Sequence, residues 1–153
     1  MSGIDFADLA GRYETPLYVY DGGVLLERAE AAAGAVPWEP FEPLFAVKAN
    51  ANPHVIALLR EAGWGADVAS PGEAIAALAA GVPPERMVMT GSNLSVDDMA
   101  FARARNITVN LDSLSQVETW GERHPETEVW LRLNPEIAPA THPHLATAGP
   151  ESK

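Results

Sequence analysis

The sequence predicts an α/β fold of parallel strands, a partial (β/α)8 barrel of the TIM type with about five β/α units. Short apolar runs alternate with helical segments and recur about every 20 to 22 residues. Strand–helix alternation joins parallel strands by right-handed crossovers. Each run is followed by polar or small residues, and the carboxyl ends of parallel strands are where α/β enzymes place their sites. No glycine-rich phosphate motif follows the first run, which disfavours a doubly wound dinucleotide-binding sheet.

The N-terminal part precedes the regular repeat. The first dozen residues are polar and mixed, and they predict no element. Residues 15–20 predict a strand, because aromatic and β-branched residues follow a proline. Residues 21–23 mark a break or a helix start, and residues 24–34 have apolar side chains at helical spacing. The proline-rich stretch 36–43 ends this helix.

Five strands and four intervening helices follow. The predicted strands are 44–47, 65–69, 87–90, 108–111 and 129–133, and the predicted helices are 53–62, 71–80, 96–105 and 114–123. Capping boxes open two of these helices, Ser70 with Glu73 and Ser113 with Gln116. A closed barrel usually needs about 200 residues or more. We therefore expect the N-terminal part of a longer protein, with a small complete five-stranded domain as the alternative.

Composition excludes several classes of function. The 153 residues carry 10 Lys plus Arg against 21 Asp plus Glu, a net charge of -11, which disfavours nucleic acid and anionic membrane surfaces. The absence of cysteine excludes disulfides, thiolate metal sites and a cysteine nucleophile in this stretch. No basic segment followed by an apolar segment opens the chain, and no apolar run reaches about 18 residues. We expect a cytoplasmic protein without a membrane partner.

Lys48 is the strongest candidate for chemistry. The chain has two lysines, Lys48 and Lys153, against eight arginines. Lys48 directly follows the apolar run 44–47, and a lysine at the end of a buried strand is costly unless it is neutral or paired. Desolvation lowers the pKa of a lysine, and a neutral amine is what imine formation requires. The alternative is a lysine whose stem lies along the strand end while its ammonium reaches water.

Asp67 is a second candidate, with a competing structural explanation. We expect it at the same level of the next strand as Lys48, where it can pair with that lysine or with a ligand. A strand-end aspartate held by local backbone N–H groups is the alternative. Glu73, nearby in the sequence, is explained by its position as the third residue of a capping box.

Arg132 and the pair His142 and His144 complete the candidates. Arg132 lies inside the predicted strand 129–133, where an arginine is either paired in a barrel interior or close to a ligand anion. His142 and His144 are spaced like metal ligands, but no acidic or sulfur ligand follows at a suitable spacing. We expect no metal site.

A series of short motifs runs in order along nearly the whole chain. The lysine-bearing run is Phe45-Ala46-Val47-Lys48-Ala49-Asn50, and the others cover residues 15–21, 65–73, 80–86, 110–113, 131–135, 141–144 and 147–153. Together these motifs resemble the fold-type III pyridoxal-phosphate decarboxylases, and most of all the diaminopimelate decarboxylases among them. The lysine motif alone is moderately specific, and the ordered set is highly specific.

The resemblance implies a fold and a domain division. The fold is a (β/α)8 barrel that binds pyridoxal 5′-phosphate, followed by a β-domain. Residues 1–23 are then an N-terminal segment with one strand of the β-domain, and residues 24–153 are the N-terminal part of the barrel. The resemblance also implies a homodimer for the full-length protein.

The resemblance further implies a reaction on a small amino-acid substrate. Lys48 forms a Schiff base with the cofactor, Asp67 and Arg132 lie near the cofactor, and His144 lies near the substrate. The cofactor ring accepts the electrons left when CO2 departs. The implied substrate is meso-2,6-diaminopimelate and the implied product is L-lysine.

Phe45, Leu94 and Pro71 depart from the family pattern, and other parts of that pattern are missing. Leu94 stands where many members carry a lysine in the loop after the third strand. The family's ring-stacking histidine, glycine-rich phosphate loop and pyridinium-binding glutamate lie later in longer members. We therefore expect the isolated chain to be inactive and poorly folded.

Other functions stay open. The same fold can act on carboxynorspermidine, ornithine, arginine or a carrier-linked amino acid, since substrate-specifying residues mostly lie downstream. A non-catalytic module that binds the cofactor or another protein is an alternative of a different class.

Overall fold

The computed structural model describes residues 4–137 as alternating helices and strands. The helices are α1 (Phe6–Tyr13), α2 (Gly22–Gly34), α3 (Pro53–Glu61), α4 (Pro71–Ala79), α5 (Val96–Ala104) and α6 (Leu114–Arg123). The strands are β1 (Leu44–Ala46), β2 (Gly65–Val68), β3 (Met87–Thr90), β4 (Thr108–Leu111) and β5 (Trp130–Leu131), and 3₁₀ turns lie at Val47–Ala49 and Pro84–Arg86. The strands form one parallel sheet in the order β1-β2-β3-β4-β5. The predicted α/β class with parallel strands is confirmed.

One face of the sheet is buried beneath helices. Successive side chains of a strand point to opposite faces, so alternate residues share a face. The helix-covered set is apolar and buried: Val47, Ala66, Val68, Met87, Met89, Val109 and Leu111. These residues form one core cluster with helix residues that include Ile56, Ala74, Met99 and Trp120. Burial of this apolar surface is the main stabilising contribution to the sheet.

The opposite face of the sheet carries smaller and more polar residues. The strand register aligns one row of Ala46, Asp67, Val88 and Thr108, and a second row of Thr90, Asn110 and Trp130. This is the face that becomes the interior when such a sheet closes into a barrel. In the five-stranded sheet it stays open, and Trp130 is 49% exposed.

Serine caps open helices α4, α5 and α6. Ser70 Oγ accepts the N–H of Glu73 at 3.3 Å, as the sequence predicts. The carboxylate of Glu73 bonds back to the N–H of Ala69 at 2.9 Å, one residue earlier than in a standard capping box. A complete capping box forms instead at Ser95 and Asp98, which the sequence analysis missed.

The N-terminal part differs from the prediction in two ways. Helix α1 forms where no element was expected, because the Asp5 carboxylate accepts the N–H groups of Ala7 and Asp8 at 2.8 and 3.3 Å. Residues 15–20 do not form the predicted strand. A strand needs a neighbour for its N–H and C=O groups, and none of the described strands pairs with this segment. High β propensity without a partner leaves the segment irregular.

The last strand is shorter than predicted. β5 covers Trp130–Leu131 and pairs only with β4 among the described strands. The ladder continues with one further hydrogen bond, from the Arg132 N–H to the Leu111 carbonyl at 2.9 Å. The prediction that Arg132 lies inside the strand is wrong, and it lies just beyond the strand end. Pairing on one side only accounts for this early end.

The first three strands begin at one side of the sheet, which we call the amino edge. We define it as Glu42, Leu44, Gly63, Gly65 and Arg86. Arg86 Nε lies 2.5 Å from Glu42 Oε1, and Arg86 Nη2 donates to the Gly63 carbonyl at 2.5 Å. Gly65 sits so close to its neighbours that a Cβ there would lie 2.3 Å from the Arg86 carbonyl oxygen and 2.6 Å from Leu44 Cδ2. Backbone contacts therefore hold this edge.

Within residues 4–137, every helix falls short of the length and apolarity needed to cross a membrane.

Candidate functional site

The polar residues predicted at strand ends gather along one side of the sheet. We call this side the carboxyl edge and define it as the residues that follow the strands: 47–50, 69–70, 91–94, 112–113 and 132–134. Because all five strands are parallel, their carboxyl ends lie on the same side. Catalytic and ligand-binding residues of such a sheet are expected at this edge.

Lys48 lies at the first position of this edge, in the 3₁₀ turn after β1. Val47 before it is fully buried in the core, which fixes the turn from below. The N–H of Asn50 donates to the Val47 carbonyl at 3.0 Å and closes the turn. The Asn50 side chain then accepts the N–H of Asn52 at 3.0 Å, and Asn52 caps α3. Lys48 thus sits on a short turn that is held at both ends.

The side chain of Lys48 is exposed, contrary to the expectation of a buried lysine. No ion pair joins it to a carboxylate among the described residues. Lys48 lies in the 3₁₀ turn beyond the strand, and its exposure agrees with the alternative in which the ammonium reaches water. An accessible primary amine follows directly from this position.

Asp67 lies lower on the sheet than predicted. Its register partners are Ala46 on β1 and Val88 on β3, so Lys48 lies two residues further toward the carboxyl edge. Because Lys48 lies in the 3₁₀ turn beyond the paired residues, the prediction of a shared level is wrong. Asp67 shares its face of the sheet with Ala46, a small neighbour on β1.

Thr90 and Asn110 form a polar pair on the same face, which the sequence analysis did not single out. Asn110 Nδ2 donates to Thr90 Oγ1 at 3.5 Å, across the register pair of β3 and β4. Asn110 Oδ1 is buried and has no hydrogen-bond partner within residues 4–137. A buried acceptor without a partner is costly unless a ligand or water supplies the donor. Alternating polar residues in the strand sequences indicated that Thr90 and Asn110 share a face. Their pairing depended on the register of β3 with β4.

Gln116 connects two segments of the carboxyl edge. Its Oε1 accepts the N–H of Asp112 at 3.1 Å, and its own N–H donates to Ser113 Oγ at 3.3 Å. Its Nε2 donates to the Gly91 carbonyl at 3.2 Å, across 25 residues of sequence. The sequence predicted the cap with Ser113, and it did not predict the bond to Gly91.

Leu94 closes the loop after β3 from below. Its side chain is 8% exposed and belongs to the core cluster. A Cβ on Gly91 would lie 2.6 Å from Leu94 Cδ2 and 3.2 Å from the Ala69 carbonyl oxygen. Leu94 therefore anchors the loop in the core and offers no polar group at the edge.

Arg132 and Asp112 lie at the far end of the carboxyl edge. Both line a cavity of about 260 Å³ between the end of β5 and the start of α6. The Arg132 side chain is exposed, so its guanidinium is accessible to an anion. His142 and His144 lie outside the described residues.

The family comparison concerns nearly the whole chain. Residues 23–153 match the family model described as pyridoxal-dependent decarboxylase, pyridoxal binding domain. The diaminopimelate decarboxylase of Aquifex aeolicus is 37% identical over 158 residues, which cover 100% of this chain and 37% of that protein. The diaminopimelate decarboxylase of Methanothermobacter thermautotrophicus is 38% identical over 156 residues, with 100% and 36% covered. The chain thus spans little more than a third of the length of these relatives.

A solved structure has the same arrangement of elements. The crystal structure of diaminopimelate decarboxylase from Helicobacter pylori, complexed with L-lysine, superimposes with a TM-score of 0.84 at 29% sequence identity. The match covers 97% of this chain and 39% of that chain. The five-stranded parallel sheet described above is consistent with part of a (β/α)8 barrel.

Proposed function

The chain belongs to the pyridoxal-dependent decarboxylases, and from this premise we propose that the protein carrying it converts meso-2,6-diaminopimelate to L-lysine and CO2. The observation that carries the proposal is the position of Lys48, an accessible primary amine on a fixed turn at the carboxyl edge. The substrate is supported by the relatives, which are named diaminopimelate decarboxylases and match the full length of the chain. The solved relative in complex with L-lysine is consistent with this product.

The residues present fit pyridoxal 5′-phosphate, the cofactor of this family. The Lys48 amine has no competing carboxylate within the described residues, and Ala46 and Ala49 beside it are small. Asp67 places a carboxylate on the open face below the lysine. Arg132 provides an exposed guanidinium suited to an anionic group. We propose that Lys48, Asp67 and Arg132 form the cofactor-binding set of this chain, with His144 near the substrate.

Each residue of the set has a distinct part in the reaction. When bound, the cofactor supplies an aldehyde for covalent attachment and a ring that takes up the electron pair left by CO2. Lys48 would hold the cofactor covalently through its Nζ at the carboxyl edge, and the same amine would be available to carry a proton when substrate takes its place. Asp67, on the open face nearer the amino edge, would place negative charge near the cofactor.

Covalent trapping tests the attachment residue. The complete polypeptide encoded by the gene is incubated with pyridoxal phosphate, reduced with borohydride and digested for mass spectrometry. We expect the reduced adduct on the peptide that contains Lys48, and its loss in Lys48→Ala. Lys153→Ala is a matched control, because Lys153 is the other lysine of this chain. An adduct that persists in Lys48→Ala and disappears in Lys153→Ala would contradict the assignment.

A substrate panel tests the reaction. Release of CO2 is measured with meso-diaminopimelate, ornithine, arginine, carboxynorspermidine and a carrier-linked amino acid. We expect turnover of meso-diaminopimelate with L-lysine as the product. Preference for another substrate would support a decarboxylase of this fold and would contradict diaminopimelate as its substrate. Cofactor binding without turnover of any of them would favour the non-catalytic alternative.

The assembly and location of the protein belong to the same proposal. We propose a homodimer in the cytoplasm for the complete polypeptide. Light scattering of the purified polypeptide measures the first, and a monomer mass would contradict it. Fractionation of cells measures the second, and recovery in the membrane or secreted fraction would contradict it.

A further inference from the structure

Gln116 is bound more extensively than a helix cap requires. Among residues 4–137, Gln116 is the one polar residue that is buried, with 7% of its surface exposed. Its side-chain oxygen and nitrogen both have partners, the Asp112 N–H and the Gly91 carbonyl. A buried polar group costs less when its atoms have hydrogen-bond partners, and both side-chain polar atoms of Gln116 have at least one.

Glu73 provides an internal comparison, because it occupies the equivalent position after β2. Ser70 and Ser113 cap their helices in the same way, and the third helical residue of each bonds back to the residue before the serine. Glu73 only accepts hydrogen bonds there. Gln116 also donates one, to Gly91. Helix capping therefore explains the hydrogen bond of the Gln116 oxygen. It does not explain the hydrogen bond from the amide nitrogen to Gly91.

The amide nitrogen of Gln116 holds the loop after β3 against the end of β4. Gly91 has little freedom on its other sides, since Leu94 and the Ala69 carbonyl are in close approach. Gly91 directly follows Thr90, which pairs with Asn110 on the open face. Loss of the bond from Gln116 thus releases the loop at the point where it leaves the Thr90–Asn110 pair.

We propose that Gln116 is a positioning residue for the carboxyl edge, which couples the loop after β3 to the end of β4 through its amide nitrogen. This inference rests on the proposed function for its effect on catalysis. The coupling keeps the Thr90–Asn110 pair and the Asp112 backbone in one fixed arrangement beside the cofactor-binding set. Gln116 acts through these groups and does not touch the reacting atoms.

Gln116→Glu is the decisive variant, because its ability to donate depends on pH. As a carboxylate it accepts the Asp112 N–H but faces the Gly91 carbonyl without a proton to donate. Burial raises the pKa of such a carboxyl, and the protonated form can donate to Gly91 and accept from Asp112 at once. We expect cofactor affinity to fall about tenfold at pH 8 relative to wild type and to recover toward wild type near pH 5.5.

Two further variants separate positioning from stability. Gln116→Met loses both bonds, so its cofactor affinity and kcat/KM should stay low at both pH values. Glu73→Gln keeps the accepting oxygen, so the ratio of its affinity to that of wild type should not change with pH. Thermal unfolding of each apo-protein shows whether the fold is intact at the assay temperature.

Hydrogen exchange decides the coupling even if the reaction is not the one proposed. Peptides covering residues 91–94 should exchange faster in Gln116→Met than in wild type, whereas Glu73→Gln should leave them unchanged. The inference is overturned if exchange there is unchanged, or if Gln116→Glu shows no recovery at low pH. Failure of the wild-type protein to decarboxylate any substrate would instead reject the proposed function, with the exchange result still deciding the role of Gln116.

Discussion

The two edges of the sheet are built differently. At the amino edge, the charged side chain of Arg86 is committed to Glu42 and to the Gly63 backbone, and Gly65 is enclosed by backbone atoms. At the carboxyl edge, Lys48 and Arg132 are exposed, and the loops are held by polar side chains that cap helices. Stabilising contacts of Arg86 and Gly65 thus lie at the amino edge, and Lys48 and Arg132 of the proposed cofactor-binding set lie at the carboxyl edge. (β/α)8 proteins in general divide stability and chemistry in this way.

The separation has a physical origin in where polar groups find partners. At the amino edge, Arg86 is bound to Glu42 and to the Gly63 carbonyl. At the carboxyl edge the caps bind backbone N–H groups, and Lys48 and Arg132 form no ion pair with a described residue. An edge of this kind can bind a cofactor without first breaking its own contacts.

The largest expected effect comes from Lys48→Ala. Loss of the amine should lower kcat/KM by about 10³-fold or more, because no other described lysine can take its place. The free energy of unfolding of the apo-protein should change by less than about 0.5 kcal/mol, since the side chain is exposed. Kinetic assays and urea unfolding measure the two quantities. A fall in the free energy of unfolding large enough to explain the lost activity would contradict the difference between the two edges.

Gly65→Ala and Gly91→Ala form a matched pair, one at each edge. At Gly65 the added Cβ meets the backbone of Arg86, which cannot move away, so we expect a destabilisation of about 1–3 kcal/mol. At Gly91 the nearest atom is the flexible end of Leu94, so we expect a smaller loss of stability and a weaker affinity for cofactor. Chemical unfolding and cofactor titration measure both.

Gly121→Ala is the control for this pair. Nothing lies within 4 Å of a Cβ at Gly121, in helix α6. Alanine there should stabilise the protein by about 0.5–1 kcal/mol. If Gly91→Ala lowered the free energy of unfolding as much as Gly65→Ala, the two edges would not differ in how tightly their backbones are packed.

Arg86→Met tests the amino edge through its charge. The variant keeps an apolar stem and loses the bonds to Glu42 and Gly63. Arg86 is partly exposed, so the loss should be about 1–2 kcal/mol, with a normal KM at temperatures where the variant is folded. Glu42→Gln, which keeps an acceptor, should lose less. A changed KM in a folded Arg86→Met would show that this edge also serves the site.

The smallest effect is expected at Asp21, which lies outside both edges and caps helix α2. The Val24 N–H donates to its carboxylate at 3.1 Å, and this bond lowers the pKa of Asp21 below 3.8. A lowered pKa in the folded state stabilises the protein above pH 3.8, and this contribution is lost as the pH falls through the lowered pKa. Asp21→Asn should therefore be slightly less stable than wild type at neutral pH and equal to it near pH 2, so that its stability falls less steeply at the acid end of the curve. Melting temperatures measured from pH 2 to pH 7 check this, and an unaltered acid end would contradict it.

Most of the repeat was predictable because its signals are local. Strands β3 and β4 have the bounds expected from their apolar runs, and β2 differs by one residue. Helices α4 and α6 start where Ser70 and Ser113 predict. Continuous apolar runs and serine caps act within a few residues, so tertiary contacts reinforce them without changing them.

The candidate site was predictable only in part. Lys48 and Arg132 were found because a charged residue in or beside an apolar run is unusual. The exposure of Lys48 depended on a 3₁₀ turn, and the level of Asp67 depended on the register of β1 with β2. The N-terminal segment 15–20 had strand propensity but found no partner, which no local pattern reports.

From β1 onward, local patterns decided the kind and order of the elements, the parallel sheet and the candidate lysine, because hydrophobic periodicity and caps arise from neighbouring residues. Only the folded chain decided which polar groups meet. Gln116 reaches Gly91 across 25 residues, and Asn110 meets Thr90 across two strands. The physical reason is that strand register and loop closure depend on contacts between distant segments, whose free energies no short stretch of sequence contains.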